Sequence, residues 1–509
     1  MKKAGSFIKI LKEITMKRII ALLLALVCLV TGATCFTGCA DNENSGNENT
    51  DTVNPTLDHL NGLDFGGEYV SFAIAGGDGD DFNQRSIYVD EEGDDGDAVN
   101  SAIYARNQKI QTMLNVEFDI ATDADASITS QIKPILLGGT SDYDIIAARQ
   151  YDDIQLALEG VMLDLNTLAD EGADYIKWDQ EYWATSYIDA LTFGNKTFWL
   201  ASDLCLRFTG GYYCMFVNSR LYNDILFNEF GSIYDVVRNH NWTYDTLIEM
   251  SKKSYDDTNG NDTLDIEGDR VGLLLTVCDN INGMAISSGV MFTRYDENGT
   301  PINNVTTGNS TLISFMTKCH ELANSEGVHA FGAGAVAYEE AMNIFAAGEA
   351  MFVAGRLNHA EMFLRDMVDD YYVIPCPMLN KEQGAYYTGV HDSTNIYGIN
   401  YSSERIPAAA ATLEALSYES FYSIRPIYYD SFLKFKYTRD DEAAEMIDIM
   451  HDGVYTDFVF IWQFSDVMNR LGFFLRENVL NRNSTSAIKK LSGSWTDGLN
   501  EILKLIEEM

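Results

Sequence analysis

The sharpest short motif in the chain is Asp257-Thr258-Asn259-Gly260-Asn261-Asp262-Thr263-Leu264-Asp265. Asp257, Asn259, Asn261, Thr263 and Asp265 occupy its first, third, fifth, seventh and ninth places. That is the spacing with which a loop wraps oxygen ligands around calcium, the seventh through its backbone carbonyl. Asp262 stands where a sharp-turn glycine belongs, and Gly268, with Glu267 beside it, stands where a bidentate glutamate closes an EF-hand. The same residues also suit a solvated turn held by Asx hydrogen bonds, so a structural calcium loop and an Asx-rich turn are both open. There is no P-loop, no H-E-x-x-H, no G-x-S-x-G and no zinc-type cysteine pairing. The expectation is a protein without catalytic residues and without a cofactor for catalysis.

A second set of residues is scattered in sequence but repeats one position, just past a predicted strand or at a crossing between domains. Asp78, Arg149, Asp203, Arg356 and Asp392 are its charged members, and Trp183, Tyr213 and Trp462 supply flat aromatic faces. Each also fits an ordinary loop or core role. In open α/β sheets, the carboxyl ends of strands are where ligands are met. The elements that place them there follow from periodicity. Tyr69 to Ala75 reads as a first strand, and Val99, Ile103, Ile110, Met113 and Leu114 recur at helical spacing. Val116, Phe118 and Ile120 then alternate as a strand. Ile128 to Leu136 makes a helix, Asp144 to Ala148 a strand, and Ile154 to Leu158 a helix stopped by Gly160. Such βαβ units build a mainly parallel sheet.

Tyr212 to Val217 reads as the first crossing into a second domain, and Thr243 as the N-cap of a helix whose Trp242 is core. Asn343 to Arg356 brings the chain back: a helix end at Gly348, a buried strand Ala350 to Ala354, and a stop at Gly355. Tyr372 to Ile374 and Ile396 to Ile399 are expected in the first sheet, and the helical stretch from Pro407 in the second domain. Gly332, Gly334 and Ala337 have the spacing of a dinucleotide fingerprint, but no apolar strand is read before them and the motif is set aside.

Length and charge bound the class. At 509 residues two cores are expected, and a net charge of −41 excludes nucleic acid as a partner because phosphates are repelled. Lys17 and Arg18 precede the apolar run Ile19 to Val30, which has the length of a secretory h-region. Thr37-Gly38-Cys39 after Phe36 resembles a lipobox, which makes Cys39 the lipidated first residue of the exported protein. The polar run after it reads as a disordered tether through residue 65. Cys205, Cys214, Cys278, Cys319 and Cys376 remain in the body, either as free thiols or with one pair such as Cys205 with Cys214.

Several segments together resemble a known family. They include AVNSAIYARNQKI, GGTSDYDIIAA, the W-x-x-D-x-L of Trp242 to Leu247, FAAGEAMFVAG, YYVIPCPMLNKEQGAYY and KFKYTRDDEAAEMIDI. Their order and spacing resemble extracellular solute-binding protein family 1, the sugar-binding lipoproteins of ABC importers, in a Firmicutes-type subgroup. Ser219 departs from the lysine that many relatives carry after the asparagine. The resemblance implies a class II periplasmic-binding-protein-like fold, two α/β lobes joined by crossing hinge strands. It places a signal peptide at 1–38, the tether at 39–65, the first lobe at 66–202 plus 355–400, and the second at 203–354 plus 401–509. It also implies a carbohydrate, expected to be an oligosaccharide, held between the lobes and delivered to the transmembrane subunits of an ABC permease. Asp78, Arg149, Asp203, Arg356 and Asp392 would grip hydroxyls while Trp183, Tyr213 and Trp462 stack on ring faces. A monomer on the outer face of the cytoplasmic membrane is expected, and members of the family often carry a single calcium loop. Two alternatives are carried forward: an extracellular glycoside hydrolase using two carboxylates, and a glycan sensor or adhesin without a transporter.

Overall fold

The computed structural model describes residues 56–75, 85–87, 97–122, 129–138, 143–266, 268–332, 335–433, 441–462, 470–480 and 484–508. The leader, Cys39, Asp78 and Glu267 lie outside the described residues. Residues 57–65, expected in the tether, are part of the fold. Leu60 is fully buried, and the helical turn Asp58–Leu60 sets His59 Nε2 3.1 Å from the Tyr175 carbonyl and 3.1 Å from Glu414 Oε1. Leu57, Leu60, Leu63 and Phe65 supply the apolar anchors that end the tether early.

The first sheet has the order β11-β3-β1-β2, built from β1 (Glu68–Ile74), β2 (Val116–Thr122), β3 (Ile145–Arg149) and β11 (Asn395–Ile399). β2 and β3 run parallel to β1, while β11 pairs antiparallel with β3. The unbroken burial of Val70 to Ile74 in β1 and of Ile145 to Arg149 in β3 is what a strand covered on both faces shows. Helix α1 (Ala98–Leu114) connects β1 to β2. Asp97 caps it, its carboxylate accepting from the Val99 and Asn100 amides, and Asn115 ends it in the left-handed region. Its buried face contains Val99, Ile103, Ile110 and Leu114 as read, and also Arg106, whose guanidinium donates to the Ser86 carbonyl at 2.8 Å and to Ser420 Oγ at 2.9 Å. Burial pulls that guanidinium down to about 10.

The chain crosses through α2 (Leu206–Gly210) into β4 (Tyr213–Asn218) of the second sheet. There α3 (Tyr244–Ser254) is capped by Thr243, and Trp242 is fully buried with its indole donating to the Pro375 carbonyl at 2.8 Å. β5 (Val271–Thr276), α4 (Asp279–Ser287), the hairpin β6 (Thr293–Tyr295) and β7 (Pro301–Asn303), β8 (Val328–Phe331), α5 (Ala335–Ala346), β9 (Ala350–Arg356), α6 (His359–Phe363) and β10 (Tyr371–Pro375) follow. The second sheet has the order β10-β4-β9-β5-β8, with β5 parallel to both β8 and β9 and β4 antiparallel to β9 and β10. A strand does precede Gly332, but β8 lies at the edge of its sheet, away from a central switch point where a dinucleotide site forms.

Three elements differ from the sequence reading. Gly355 does not stop the strand: β9 continues to Arg356, and a side chain at 355 would meet Met342 Cε at 2.5 Å and His359 Nδ1 at 2.9 Å. β10, expected in the first sheet, lies beside β4 in the second. The short return through α6 delivers it there, Ser219 N donating to the Asp370 carbonyl at 2.9 Å and Arg220 closing on Asp369. Helix α7 (Ile406–Glu419), expected in the second domain, packs on α1 of the first, with Lys109 Nζ 2.7 Å from Glu419 and Ser202 Oγ 3.0 Å from Ser417 Oγ. Its run Ala408 to Ala411 is buried on every side, so its apolar pattern carries no directional signal. Helices α8 (Arg425–Leu433) and α9 (Asp441–Asp452) complete the part that bears on the site. The five cysteines of the body are buried free thiols.

Glu414 on α7 has a fully buried side chain, facing His59, the Lys177 amide at 3.2 Å and the Tyr182 hydroxyl at 2.5 Å. Burial raises its carboxyl to about 7. A carboxyl raised on folding contributes stability below its ordinary value of 4.5 that is lost as pH rises through about 7. Urea titrations should therefore show the wild type losing stability across that window relative to Glu414→Gln. A pH-independent difference between the two would remove Glu414 as the cause.

Candidate functional site at the lobe crossings

Two segments pass between the sheets, one through Gly210 to Tyr213 and one through Gly389 to His391, and the turn that follows β9 within the second sheet lies against the first of them. Leu357 N donates to the Tyr212 carbonyl at 3.1 Å, Asn358 N to Gly210 at 2.9 Å, His391 N to Gly211 at 3.0 Å, and Tyr213 N to Gly389 at 3.0 Å. This contact needs glycine. A Cβ at Gly211 would sit 2.6 Å from the Arg207 carbonyl, and one at Gly210 2.8 Å from the Tyr428 hydroxyl.

Around this crossing the structure gathers four of the expected residues. Tyr213 opens β4 opposite Arg356 at the end of β9, and Arg149 ends β3 opposite Asn395. Asp392 lies in the connection before β11, with its carboxylate 3.7 Å from His391 Nδ1 and its carbonyl accepting from the Tyr151 amide at 3.1 Å. The Tyr213 ring centroid is 6.2 Å from that of His391, and the ring lies against Gly283 in the middle of the second lobe's α4. Arg356 donates from Nε to His359 Nε2 at 3.2 Å and reaches over the Tyr338 ring at 5.2 Å.

Trp183 and Asp203 belong to the opposite face. Tyr212 and Tyr213 are neighbours on one extended segment and so turn to opposite sides: Tyr213 to His391, Tyr212 to His451 with centroids 6.3 Å apart. On the Tyr212 side is a cavity of about 520 Å³ walled by Trp183, Phe208, Phe421, Arg425 and His451, with Asp179, Glu181, Asp448 and Asp452 also along its lining. Beneath it Asp203 is buried, accepting from Thr209 Oγ1 at 2.7 Å with His451 Nε2 at 3.2 Å and Arg425 Nη1 at 3.5 Å. Burial works to raise this carboxyl, but the charges of His451 and Arg425 and the hydrogen bonds from His451 and Thr209 hold it below the usual carboxylate range. Arg425 lies 3.7 Å above the Phe421 ring.

Trp462 does not reach either face. It is fully buried, its indole donates to the Ala190 carbonyl at 3.1 Å, and it stacks on Phe458, so it is core and not a platform. Phe208, Phe421, Arg425 and His451 were missed. The available signal was compositional, an arginine amid the aromatics of Phe421 to Tyr429, but nothing local ties it to Asp203.

The acidic loop is a closed turn. Asp257 accepts from the amides of Gly260, Asn261 and Asp262, and Asn261 Oδ1 accepts from the Thr263 amide and hydroxyl. Asp262 itself adopts a φ of 59°, so it makes the left-handed turn that a glycine would make. The side-chain amides of Asn259 and Asn261 both reach Asp265 Oδ2, at 3.1 and 2.7 Å, and lower its carboxyl. Among the described residues no three carboxylate, imidazole or thiolate groups converge. An ion here would rest on Asp257 and Asp265 plus the amide oxygens of Asn259 and Asn261 after their side chains turn over, a donor set that suits a hard cation.

No family model matches the sequence, and no curated protein matches it. Solved structures do. The sugar-binding protein MalE from Xanthomonas citri aligns with a TM-score of 0.58 at 9% identity, covering 87% of this chain and 100% of that one. The cyclic α-maltosyl-1,6-maltose binding protein from Arthrobacter globiformis aligns at 0.56 and 9% identity over 86% and 100%. A family 1 extracellular solute-binding protein from Bifidobacterium longum subsp. infantis aligns at 0.51 and 15% identity over 84% and 99%. The chain shares with them the class II, two-lobed α/β fold of the solute-binding proteins.

The contact between Tyr213 and Gly283 is testable on its own. An ideal Cβ at Gly283 would lie 2.2 Å from the Tyr213 ring. Gly283→Ala should cost roughly 1–3 kcal/mol in urea denaturation by overpacking, and most of that cost should vanish in a Tyr213→Ala background. Equal costs in both backgrounds would show that the two do not press on each other.

Proposed function

We propose that this protein is an extracellular carbohydrate receptor that captures its ligand, an oligosaccharide, between the two lobes and hands it unchanged to an ABC permease. The single observation that supports this best is the two-lobed fold whose crossing through Gly210 to Tyr213 is bonded to the return crossing and to the turn after β9, around which Arg149, Tyr213, Arg356 and Asp392 are brought together from distant parts of the chain. Guanidinium and carboxylate groups beside an aromatic ring are what a hydroxylated ring needs. The proteins of the same fold named above are described as binding sugars and maltose-type glycans. Asp203 does not suit a glycosidase acid, since it is held ionised and takes up Thr209, His451 and Arg425. Cys39 would carry the lipid that keeps the receptor at the membrane, and the Asp257 to Asp265 loop would hold a structural calcium ion.

Thermal unfolding against a panel of oligosaccharides tests the reading. A ligand at a hundred times its dissociation constant stabilises by roughly 2.7 kcal/mol, and the glycan should be recovered intact. Products of cleavage would favour the hydrolase, and stabilisation only by amino acids or peptides would remove the carbohydrate assignment. Chelator should lower the midpoint of the wild type and leave Asp257→Asn plus Asp265→Asn unmoved, whereas no response in the wild type would leave the loop as an Asx turn. Cys39→Ala should release the protein from membranes.

A further inference from the structure

His451 Nε2 faces two groups that make opposite demands on it. Arg425 Nη1 is 2.9 Å away and can only donate, so it needs a bare ring nitrogen. Asp203 Oδ2 is 3.2 Å away and can only accept, so it needs a protonated one. One nitrogen cannot serve both at once. The three groups come from three elements: Asp203 from the first crossing, Arg425 from α8, and His451 from the last turn of α9, a helix that packs on β10 at the edge of the second sheet.

We propose that Asp203, Arg425 and His451 form a proton-controlled clamp that fixes α9, and with it one wall of the cavity, to the crossing segment. With His451 protonated, Nε2 donates to Asp203 and an ion pair spans the crossing and α9. With it neutral, Nε2 accepts from Arg425, Asp203 keeps only Arg425 and Thr209, and the direct tie between α9 and the crossing is gone. The inference holds whatever the ligand is.

The surroundings decide which way the balance lies. Burial disfavours the charged imidazole and Asp203 favours it, with Arg425 opposing and Asp452, 3.6 Å from Nδ1, assisting; the result lies above the ordinary 6.5. Asp448 on the same helix is raised, chiefly by burial. Tyr212 from the crossing and Tyr429 from α8 are both pushed upward by burial, so they stay neutral. The loop before the second domain adds Asp179 and Glu181 to the cavity lining, and Phe421 packs its ring 5.8 Å from that of His451. A histidine raised on folding contributes stability fully present below 6.5 and lost as pH rises through its folded value. Asp203, lowered on folding, contributes stability above 3.8 that is lost as pH falls through its own folded value. The clamp is therefore closed between those two limits and open on the alkaline side.

The test is a pH titration of the histidine-labelled protein by NMR, with His451→Gln used to assign the resonance. His451 should titrate above 6.5, and Asp203→Asn should move its midpoint down. Amide exchange, corrected for its intrinsic pH dependence, should then show α9 and residues 203–212 losing protection as the wild type passes that midpoint. His451→Gln should not show the loss, because the amide can donate to Asp203 at every pH. A wild-type midpoint at or below 6.5 would overturn the clamp without reference to any variant, as would no response to Asp203→Asn or an equal loss of protection in His451→Gln.

Discussion

Backbone passing between two lobes is taken out of water, and every amide and carbonyl in it must find a partner. Here the partners are the return crossing and the turn after β9. Gly210, Gly211 and Tyr212 offer carbonyls to Asn358, His391 and Leu357, so the first passage is bonded both to the return passage and to the turn after β9. Such contact needs small residues and explains why a buried five-residue helix, α2, ends in two glycines. The positions of Tyr213, Arg356 and Asp392 all follow from it, because each lies within a few residues of one of these bonds. The site is therefore a consequence of how the chain changes lobes.

Charge is handled differently at the surface and inside. The chain carries a net −41, and many of its acidic groups are exposed. Two arginines inside the fold are fixed by shape: the buried Arg106 by two oxygens and Asn107, and the half-buried Arg425 by Asp203, His451 and the Phe421 face. Planar guanidinium suits such places because it stacks and donates in a fixed fork.

Much of this architecture was legible in the sequence because it rests on local signals. β1 announces itself by alternation and β3 as a short apolar run, Thr243 and Gly348 as a helix start and a helix end, and Trp242 as core. What was not legible depends on distant partners. β10 reads equally well in either sheet, and only its pairing with β4 assigns it. Trp183 and Trp462 are the same residue type at similar positions, yet one walls a cavity and the other is sealed under Phe458. Asp203 and His451 are 248 positions apart, and no spacing rule joins them. Asp262 stands where the motif calls for glycine, and its left-handed backbone makes the turn itself, a freedom that aspartate shares with asparagine.

Leu60 and His59 fasten the start of the folded body to Glu414 and Tyr175, on the same side as α1 and α7. Mechanical load arriving along the N-terminal segment is thus borne by the first lobe, through a helix buried on all sides.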